Sequence, residues 1–416
     1  MLTTALRLVL GHQLKPFVFE KSIDFLPNFD VPNLGAYVHI PFCETLCPFC
    51  PYYKVQYESS LISRYIDALL DEITLVSERS FSGKREITSV YFGGGSPALA
   101  GDHLERITTR LKKYYCIAGN MGIELHPRDI SMETIGNVKN ADFDMVSLGV
   151  QSFSPELLRI LGRTDEDTVA PLKTLSAESF EAIDVDLIFG IPTQTAEILK
   201  SDFLTAVENG ATQISTYPFI DFSYADNKNK PLNGKEKKVL LDALLEVADK
   251  AGFERTSVWT FAGKDTPRYS SITRDNFIGF GSSATSLGLG DFKTNVFSVG
   301  EYIKSVKSGK VPTAHRMDFN TRTRGLYWLF WNSYNGDISA EAYSDLFGRS
   351  LTKDFGTSLL LGRTLGLLKT DGNIWRLTAK GIYAFHIVEQ IYTHQYIDKT
   401  WGIAMNDPWI DRILLY

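Results

Sequence analysis

The chain has 416 residues and a formal net charge of -6 at pH 7. This length is too great for one ordinary hydrophobic core and predicts two or three domains. Hydrophobic residues make up 44% and charged residues 22%, which is typical of a globular protein, and no apolar run is long enough to span a bilayer. The acidic balance gives no general attraction to phosphate backbones, so we expect neither a nucleic-acid partner nor membrane insertion.

Cysteine usage indicates the compartment. The chain has four cysteines, and its first ten residues contain Arg7 within an apolar run that is too short for a secretory signal. We therefore expect a cytoplasmic, reducing location, where thiols serve a site rather than form disulfides.

Short apolar runs alternate with segments of helical periodicity through the first two thirds of the chain. A polar, proline-containing N-terminal arm (1–33) comes first, and helices are predicted over 60–78, after Asp102, after Thr195 and over 235–251. Repeated β-α units predict an α/β fold with a parallel sheet, which we interpret as a partial (β/α)6 TIM-like barrel within 34–300. The predicted strands cover 36–40, 87–92, 121–125, 145–150, 182–188, 213–217 and 253–261.

The pattern changes near residue 301 to helices joined by short turns. A hairpin with Asp371-Gly372 at its turn is predicted between two of these helices. The combination indicates a mainly helical, winged-helix-like domain over 301–416. Its charges are nearly balanced, which favours a lid or docking role over DNA binding.

Three cysteines lie within eight residues directly after the first predicted strand, at Cys43, Cys47 and Cys50. Thiolates are the usual ligands of 4Fe-4S clusters, and a group of three leaves one iron free to bind another molecule. A structural zinc site would need a fourth ligand, but Cys116 is far along the chain and His39 is better explained as a packed strand residue. The spacing therefore predicts an iron-sulfur cluster.

Polar residues and glycines lie within, at the end of or directly after the other predicted strands, near the edge where ligands of parallel α/β sheets bind. Each has an alternative explanation: a tight turn for the glycines, a salt bridge with Arg163 for the carboxylates, and a structural amide for the glutamine. The residues are Gly93-Gly-Gly-Ser-Pro97, Glu124, Gln151, Asp186 and Tyr217-Pro218.

Taken together, these motifs resemble those of radical S-adenosylmethionine (radical SAM) enzymes related to oxygen-independent coproporphyrinogen oxidase. The resemblance covers about residues 35–400. Besides the cysteine loop and the glycine run, it depends on Ser147-Leu-Gly-Val-Gln-Ser-Phe153, Leu161-Gly-Arg163, Asp184-Val-Asp-Leu-Ile-Phe-Gly-Ile-Pro192 and Ile278-Gly-Phe-Gly-Ser-Ser-Ala-Thr-Ser286.

The resemblance implies a 4Fe-4S cluster and two molecules of SAM. The cysteines of the trio are the implied cluster ligands, and Phe49 packs on the nucleosides. The residues implied to hold the first SAM are Tyr37, Gly94, Glu124, Pro218 and Thr285. Those implied to hold the second are Gly95, Ser96, Gln151, Arg163 and Asp186.

Departures from the family pattern guide the choice of branch. Tyr52 stands where the oxidases have a fourth cysteine, and residues 269–277 lack the histidine of the related haem chaperones. The Thr216-Tyr-Pro-Phe219 run and the tail from Trp401 to Trp409 resemble instead the class C radical SAM methyltransferases and cyclopropanases. Val146 departs from this group, whose members often have arginine there.

We therefore expect C-methylation or cyclopropanation of an sp2 carbon in a small biosynthetic intermediate, by a methylene radical formed from the second SAM. Tyr52 and Tyr217 are candidate catalytic residues, and Tyr269 is a further candidate. Expected partners are a reductant such as flavodoxin or ferredoxin, and a partner methyltransferase. Two alternatives stay open: a tetrapyrrole-acting enzyme, and a haem chaperone without turnover.

Overall fold

The computed structural model describes residues 16–163, 167–267 and 275–415. Within them, seven parallel strands form the centre of the largest sheet, and each is almost entirely buried. The strands are β1 (Leu34–Ile40), β2 (Val90–Gly94), β3 (Met121–Leu125), β4 (Met145–Gln151), β5 (Ala182–Phe189), β6 (Gln213–Pro218) and β7 (Asn276–Phe280).

Strands β1 to β6 lie side by side in chain order, and β7 pairs parallel with the outer side of β1. The α/β class with a parallel sheet is therefore confirmed. β7 is an additional parallel strand that the sequence pattern did not predict. That the sheet forms a partial (β/α)6 barrel stays a prediction.

The predicted strand over 253–261 is wrong. The structure has two short antiparallel strands there, Phe253–Arg255 and Thr260–Gly263. The backbone N–H of Thr256 donates to the carbonyl of Thr260 at 2.9 Å. This bond reverses the chain within a run whose apolar residues resemble one continuous strand.

Helices connect the parallel strands and pack their apolar faces on the sheet. In the first of them, Ile62, Ile66 and Leu69 are buried together. Thr195 accepts a hydrogen bond from the backbone of Ile198 and is the predicted N-cap, whereas Asp102 makes no capping bond through its side chain. The helices are α1 (Ser59–Ser80), α2 (His103–Tyr114), α3 (Met132–Asn140), α4 (Pro155–Ile160), α5 (Val169–Ser176), α6 (Ala196–Glu208), α7 (Gly234–Lys250) and α8 (Val299–Lys307).

Antiparallel strands extend the sheet beyond β7. Phe17–Lys21, from the predicted N-terminal arm, pairs on one side with Thr313–Asp318 and on the other with Arg412–Leu415. The two ends of the described chain thus belong to one sheet edge. The strands beyond β7 are, in sheet order, Thr285–Leu287, Asp291–Asn295, Thr313–Asp318, Phe17–Lys21 and Arg412–Leu415.

The last hundred residues are mainly helical and include a three-stranded sheet. Its hairpin turns at Gly372, whose φ of 58° suits glycine. No helix in the described ranges is both long and apolar enough to cross a membrane. The elements are α9 (Thr321–Tyr334), α10 (Ala340–Phe347), α11 (Leu351–Thr364), α12 (Ala379–Tyr392), a π-helical turn (Thr393–Ile397), α13 (Asp398–Asn406), and the strands Asp337–Ser339, Leu368–Asp371 and Ile374–Leu377.

Candidate functional site

A cavity of about 900 Å³ lies at the carboxyl ends of the parallel strands and continues between the C-terminal helices. This volume is at the upper end of the range for ligand pockets. All the site residues in the described ranges that the sequence predicted line this cavity: Tyr37, Cys43, Cys47, Phe49, Cys50, Tyr52, Gly94, Gly95, Ser96, Glu124, Gln151, Arg163, Asp186, Tyr217, Pro218 and Thr285. Tyr269 lies outside the described residues.

The cysteine loop is closed by backbone hydrogen bonds at its base. Phe42–Cys43 pairs with Val55–Gln56, and the N–H of Tyr57 donates to the carbonyl of Cys43 at 2.9 Å. Inside the loop, the N–H of Cys50 donates to the carbonyl of Cys47 at 3.3 Å. These bonds fix the backbone of the loop, and all three of its cysteines line the cavity.

The thiols influence one another. Burial raises the pKa of Cys43 to about 12, and its two neighbouring cysteines contribute to the rise. Burial also raises the pKa of Cys50, although Lys54 opposes that rise. Metal binding to this loop must therefore release protons.

The donor set fits a 4Fe-4S cluster. The described ranges contain no group of three His, Cys, Asp or Glu side chains that could hold a single metal ion. A cluster has a different requirement, because each cysteine binds a different iron atom. Three thiols on one cavity wall meet this requirement.

Glu124 is held at the end of β3 by two hydrogen bonds. The hydroxyl of Tyr91 donates to Oε1 at 2.8 Å, and the N–H of Gly94 donates to Oε2 at 3.2 Å. A Cβ on Gly93 would lie 2.8 Å from this carboxylate, so only glycine leaves room for it. Burial raises the pKa of Glu124 despite these bonds.

His39 supports the glycine run from the neighbouring strand. The hydroxyl of Tyr37 lies 2.9 Å from Nδ1 of His39, and Nε2 lies 3.0 Å from the carbonyl of Tyr53. The ring is 3% exposed and both of its nitrogens have a protein partner, as expected for a packed residue, and burial lowers the pKa of His39 to about 4. A Cβ on Gly94 would lie 2.6 Å from this ring, and Gly94 has a φ of 121°.

A β-bulge places Asp186 opposite two residues of β4, Gly149 and Val150. Ser147 donates to Oδ2 of Asp186 at 3.0 Å. Burial raises the pKa of Asp186 well above its ordinary value, and the neighbouring Asp184 adds to this rise. The bulge precedes Gln151, which has a φ of 73°, an uncommon conformation for a residue with a side chain.

Arg163 lies between the cysteine loop and β4. Its Nη1 donates to the carbonyl of Gly149 at 2.5 Å, and its guanidinium lies 5.6 Å from the ring centre of Phe49. Its positive charge partly opposes the rise in the pKa of Asp186. Arg163 thus contacts both the cysteine loop and strand β4.

The sequence reasoning missed Asp129. Ser96 donates to its carboxylate, and burial raises the pKa of Asp129 to about 6. Asp129 follows β3 by four residues, so the strand-end criterion that identified Glu124 could have found it.

Both candidate catalytic tyrosines face the cavity. Tyr52 is 49% exposed and Tyr217 is 37% exposed. The surrounding protein nevertheless raises the pKa of both hydroxyls, so both are neutral at ordinary pH. The ring of Tyr52 lies 5.8 Å from that of Trp401.

Trp401 belongs to an aromatic chamber that the sequence reasoning also missed. We define the aromatic chamber as the part of the cavity lined by Phe330, Trp331, Tyr392, Tyr396 and Trp401. The Phe330 and Tyr392 ring centres are 4.7 Å apart, and those of Tyr392 and Tyr396 are 5.3 Å apart. The aromatic run in α9 is visible in the sequence, but it is equally typical of a helix core.

Comparisons with known proteins identify a family model and several similar proteins. Residues 37–203 match the model of the radical SAM superfamily. The heme chaperone HemW of Lactococcus lactis subsp. lactis (strain IL1403) is 26% identical over 365 residues, which cover 84% of this chain and 94% of the relative. The anaerobilin synthase of Escherichia coli O157:H7 is 28% identical, covering 67% of this chain and 66% of the relative.

The fold has a solved counterpart. The coproporphyrinogen III oxidase HemN of Escherichia coli superimposes with a TM-score of 0.76 at 21% sequence identity, covering 91% of this chain and 95% of that chain. The α/β fold of this chain is therefore similar to that of HemN.

The prediction of C-methylation or cyclopropanation is wrong. The relatives are named as heme chaperones, an anaerobilin synthase and oxygen-independent coproporphyrinogen III oxidases. They support the tetrapyrrole alternative and support neither a methyltransferase assignment nor a role in natural-product biosynthesis. The departures at Tyr52 and at residues 269–277 therefore do not by themselves exclude tetrapyrrole chemistry.

The match over 37–203 covers β1 to β5, the cysteine loop and Glu124. It supports iron-sulfur chemistry with SAM. Residues 37–203 are therefore similar to the radical SAM superfamily, and the relatives of the chain include heme chaperones and oxygen-independent coproporphyrinogen III oxidases.

Proposed function

We propose that this chain is a radical SAM enzyme that acts on a tetrapyrrole bound in the aromatic chamber. The observation that carries the proposal is that the three cysteines and the aromatic chamber line the same cavity. A planar, conjugated ligand in the chamber would face the wall that holds the thiols. The names of the relatives favour a tetrapyrrole over other planar ligands.

Cys43, Cys47 and Cys50 are the residues that would hold the cluster. When bound, a 4Fe-4S cluster with one open iron supplies the electron for reductive cleavage of SAM. The loop that carries these cysteines is fixed at its base by the pairing of Phe42–Cys43 with Val55–Gln56. A reductant of the flavodoxin or ferredoxin class is the expected electron donor.

The residues proposed to bind SAM lie beside this loop. The fixed carboxylate of Glu124 suits the amino group of SAM, because hydrogen bonds between charged groups are strong. Gly94 also lines the cavity, and its N–H holds the carboxylate of Glu124 in place. The proposed set for SAM is Tyr37, Gly94, Glu124, Pro218 and Thr285, with Phe49 packing on the nucleoside.

A second SAM is a separate proposal, supported by a second polar group in the same cavity. Arg163 could pair with a carboxylate, and Asp186 could accept hydrogen bonds from a ribose or an amino group. The proposed set is Gly95, Ser96, Gln151, Arg163 and Asp186. Equilibrium dialysis with labelled SAM would give a stoichiometry of two if it is correct and one if it is not.

The aromatic chamber would bind the tetrapyrrole through stacking and burial of its apolar surface. Tyr52 is proposed as a catalytic residue because it contacts the chamber through Trp401 and follows Cys50 by two residues. Tyr217 is proposed as a second catalytic residue because its side chain is exposed to the same cavity. Both hydroxyls are neutral, so each could donate a proton to a substrate carbon or oxygen.

The test is anaerobic reconstitution with iron and sulfide, followed by incubation with SAM, dithionite and either coproporphyrinogen III or haemin. We expect 5'-deoxyadenosine to accumulate together with a changed tetrapyrrole in one of the two incubations. Deoxyadenosine release without any change in either tetrapyrrole would contradict the proposed substrate class.

A haem chaperone is the second candidate. Two relatives with this name align with 84% and 83% of this chain, whereas the anaerobilin synthase aligns with 67%. Against it, residues 269–277 contain no histidine that could ligate haem iron. Tight haem binding without deoxyadenosine release would favour the chaperone over the enzyme.

A further inference from the structure

The walls of the cavity differ sharply in charge. The acidic and basic lining residues from the first 300 residues are at the strand ends and the cysteine loop, including Lys54, Glu124 and Asp186. Among the described lining residues beyond position 300, Glu389 is the only carboxyl or basic side chain. A lone carboxyl group in an aromatic wall needs an explanation, because burying a charge is costly unless it is paired.

Glu389 has one oxygen in use and one without a partner. It is 8% exposed. Thr393, one turn later, donates to Oε1 at 2.9 Å. Oε2 is buried and has no hydrogen-bond partner within the described residues. Such a buried acceptor destabilises the fold unless a ligand or water satisfies it.

Lys237 is the cation that acts on Glu389, but its ammonium group donates its hydrogen bonds elsewhere and not to Oε2. Lys237 lowers the pKa of Glu389, but burial outweighs it and raises that pKa to about 7. Nζ of Lys237 donates instead to the carbonyl of Phe219 at 2.8 Å and to Oε1 of Gln390 at 2.9 Å. The lysine is thus committed to joining α7, the end of β6 and α12.

A hydrogen-bond network fixes the helix that carries Glu389. Nε1 of Trp259 donates to Nδ1 of His386 at 3.0 Å, and Gln390 lies 2.9 Å from Nε2 of His386. The helix then changes to a π-helical turn at Thr393–Ile397, and such turns are frequent at functional sites. Tyr392 and Tyr396, on either side of this change, belong to the aromatic chamber.

We propose that Glu389 is a ligand-binding residue of the aromatic chamber, where Oε2 accepts a hydrogen bond from a pyrrole N–H of the substrate. The proposal rests on the proposed function and adds the atom that the substrate presents. Aromatic rings bind the conjugated body of the ligand, and the carboxyl group binds its N–H. A tetrapyrrole whose nitrogens all bind a metal lacks this donor.

The test compares two probes, biliverdin, which has N–H groups, and haemin, whose nitrogens all bind iron. Dissociation constants are measured by tryptophan quenching and absorbance with the full-length chain. For Glu389→Met, which keeps the length of the side chain, we expect biliverdin to bind about ten- to 100-fold more weakly. Haemin binding should change less than about twofold, a difference under 0.5 kcal/mol. Glu389→Gln retains a carbonyl oxygen and should give an intermediate effect on biliverdin.

Thr400→Val is the matched control. Thr400 lines the cavity outside the five residues that define the chamber, and its hydroxyl already donates to the carbonyl of Tyr396 at 2.6 Å, so both probes should keep their affinity. Equal weakening of both probes by Glu389→Met, or no weakening of biliverdin, would overturn the inference and leave the proposed function standing. If the unaltered chain binds neither probe, the proposed function fails and the inference with it.

Discussion

Polar side chains reach the cavity from the carboxyl ends of β1–β6, whereas α9, α12 and α13 contribute aromatic rings and one carboxyl group. At the strand ends, glycines and hydrogen bonds hold each carboxylate in place, as Tyr91 and Gly94 do for Glu124. In the aromatic chamber, positions are set by ring packing. The difference indicates that the strand ends determine the chemistry and cofactors, and that the chamber determines the substrate.

The largest effect should come from Cys50→Ser. Replacing one thiolate removes a ligand that the cluster requires, so we expect loss of iron-sulfur absorbance after reconstitution and no detectable SAM cleavage. Cys116→Ser is the control, because Cys116 is exposed and lies in a short strand away from the loop. Unchanged iron content in the Cys50 variant would refute the assignment of the cluster ligands.

Glu124→Gln should affect SAM and spare the tetrapyrrole. The substitution keeps the size and the bond from Tyr91 but removes the charge, so we expect SAM to bind about ten- to 100-fold more weakly, or about 1.5–3 kcal/mol. Isothermal titration with the reconstituted protein measures this affinity, and the exposed Glu133→Gln serves as control. Equal loss of haemin affinity would show that the two regions are not separable.

Most of the site residues at the strand ends could be predicted from the sequence, whereas the residues of the aromatic chamber could not. Cys43, Gly94 and Glu124 could be predicted because each lies at or just after the carboxyl end of a buried strand, and parallel strands bring these ends to one edge. The hairpin after α7 was misread because Phe253, Val258, Trp259 and Phe261 are all residues that favour strands, so composition alone did not reveal the reversal between them.

The chamber was not predictable in the same way. Phe330 and Tyr392 contact each other although they are 62 positions apart in the sequence, and aromatic residues in helices are more often core than ligand-binding. Only tertiary packing brings them to one cavity. The motifs that could be recognised in the sequence belong to the proposed cofactor sites. The proposed substrate chamber has no such motif, and the substrate was therefore misassigned.

Glu389→Gln tests the charge in the chamber through stability. The folded-state pKa of Glu389, about 7, exceeds its ordinary value of 4.5, so the folded chain binds more protons between these values. Raising the pH from 4.5 to 7 therefore destabilises the fold. Lys237, whose pKa burial lowers to about 8, stays mostly protonated over this range.

The variant should accordingly be more stable than the unaltered chain at pH 8, by roughly 1–2 kcal/mol, with a smaller gain at pH 5. Urea unfolding at the two pH values measures the gain, and the exposed Glu341→Gln should show none. A pH-independent difference would mean that Glu389 does not titrate in the chamber.

The smallest effect should come from Trp401→Leu. This variant tests whether the aromatic chamber contributes to tetrapyrrole binding without contributing to SAM binding. Leucine keeps an apolar side chain in α13 but removes the ring that lies 5.8 Å from Tyr52. An aromatic pair contributes about 0.5–1.5 kcal/mol beyond buried area, so haemin affinity should fall by about two- to tenfold. SAM affinity should not change, because the residues proposed to bind SAM lie at the strand ends. The variant thus reverses the pattern expected for Glu124→Gln, and a loss of SAM affinity would mean that the two regions share a ligand.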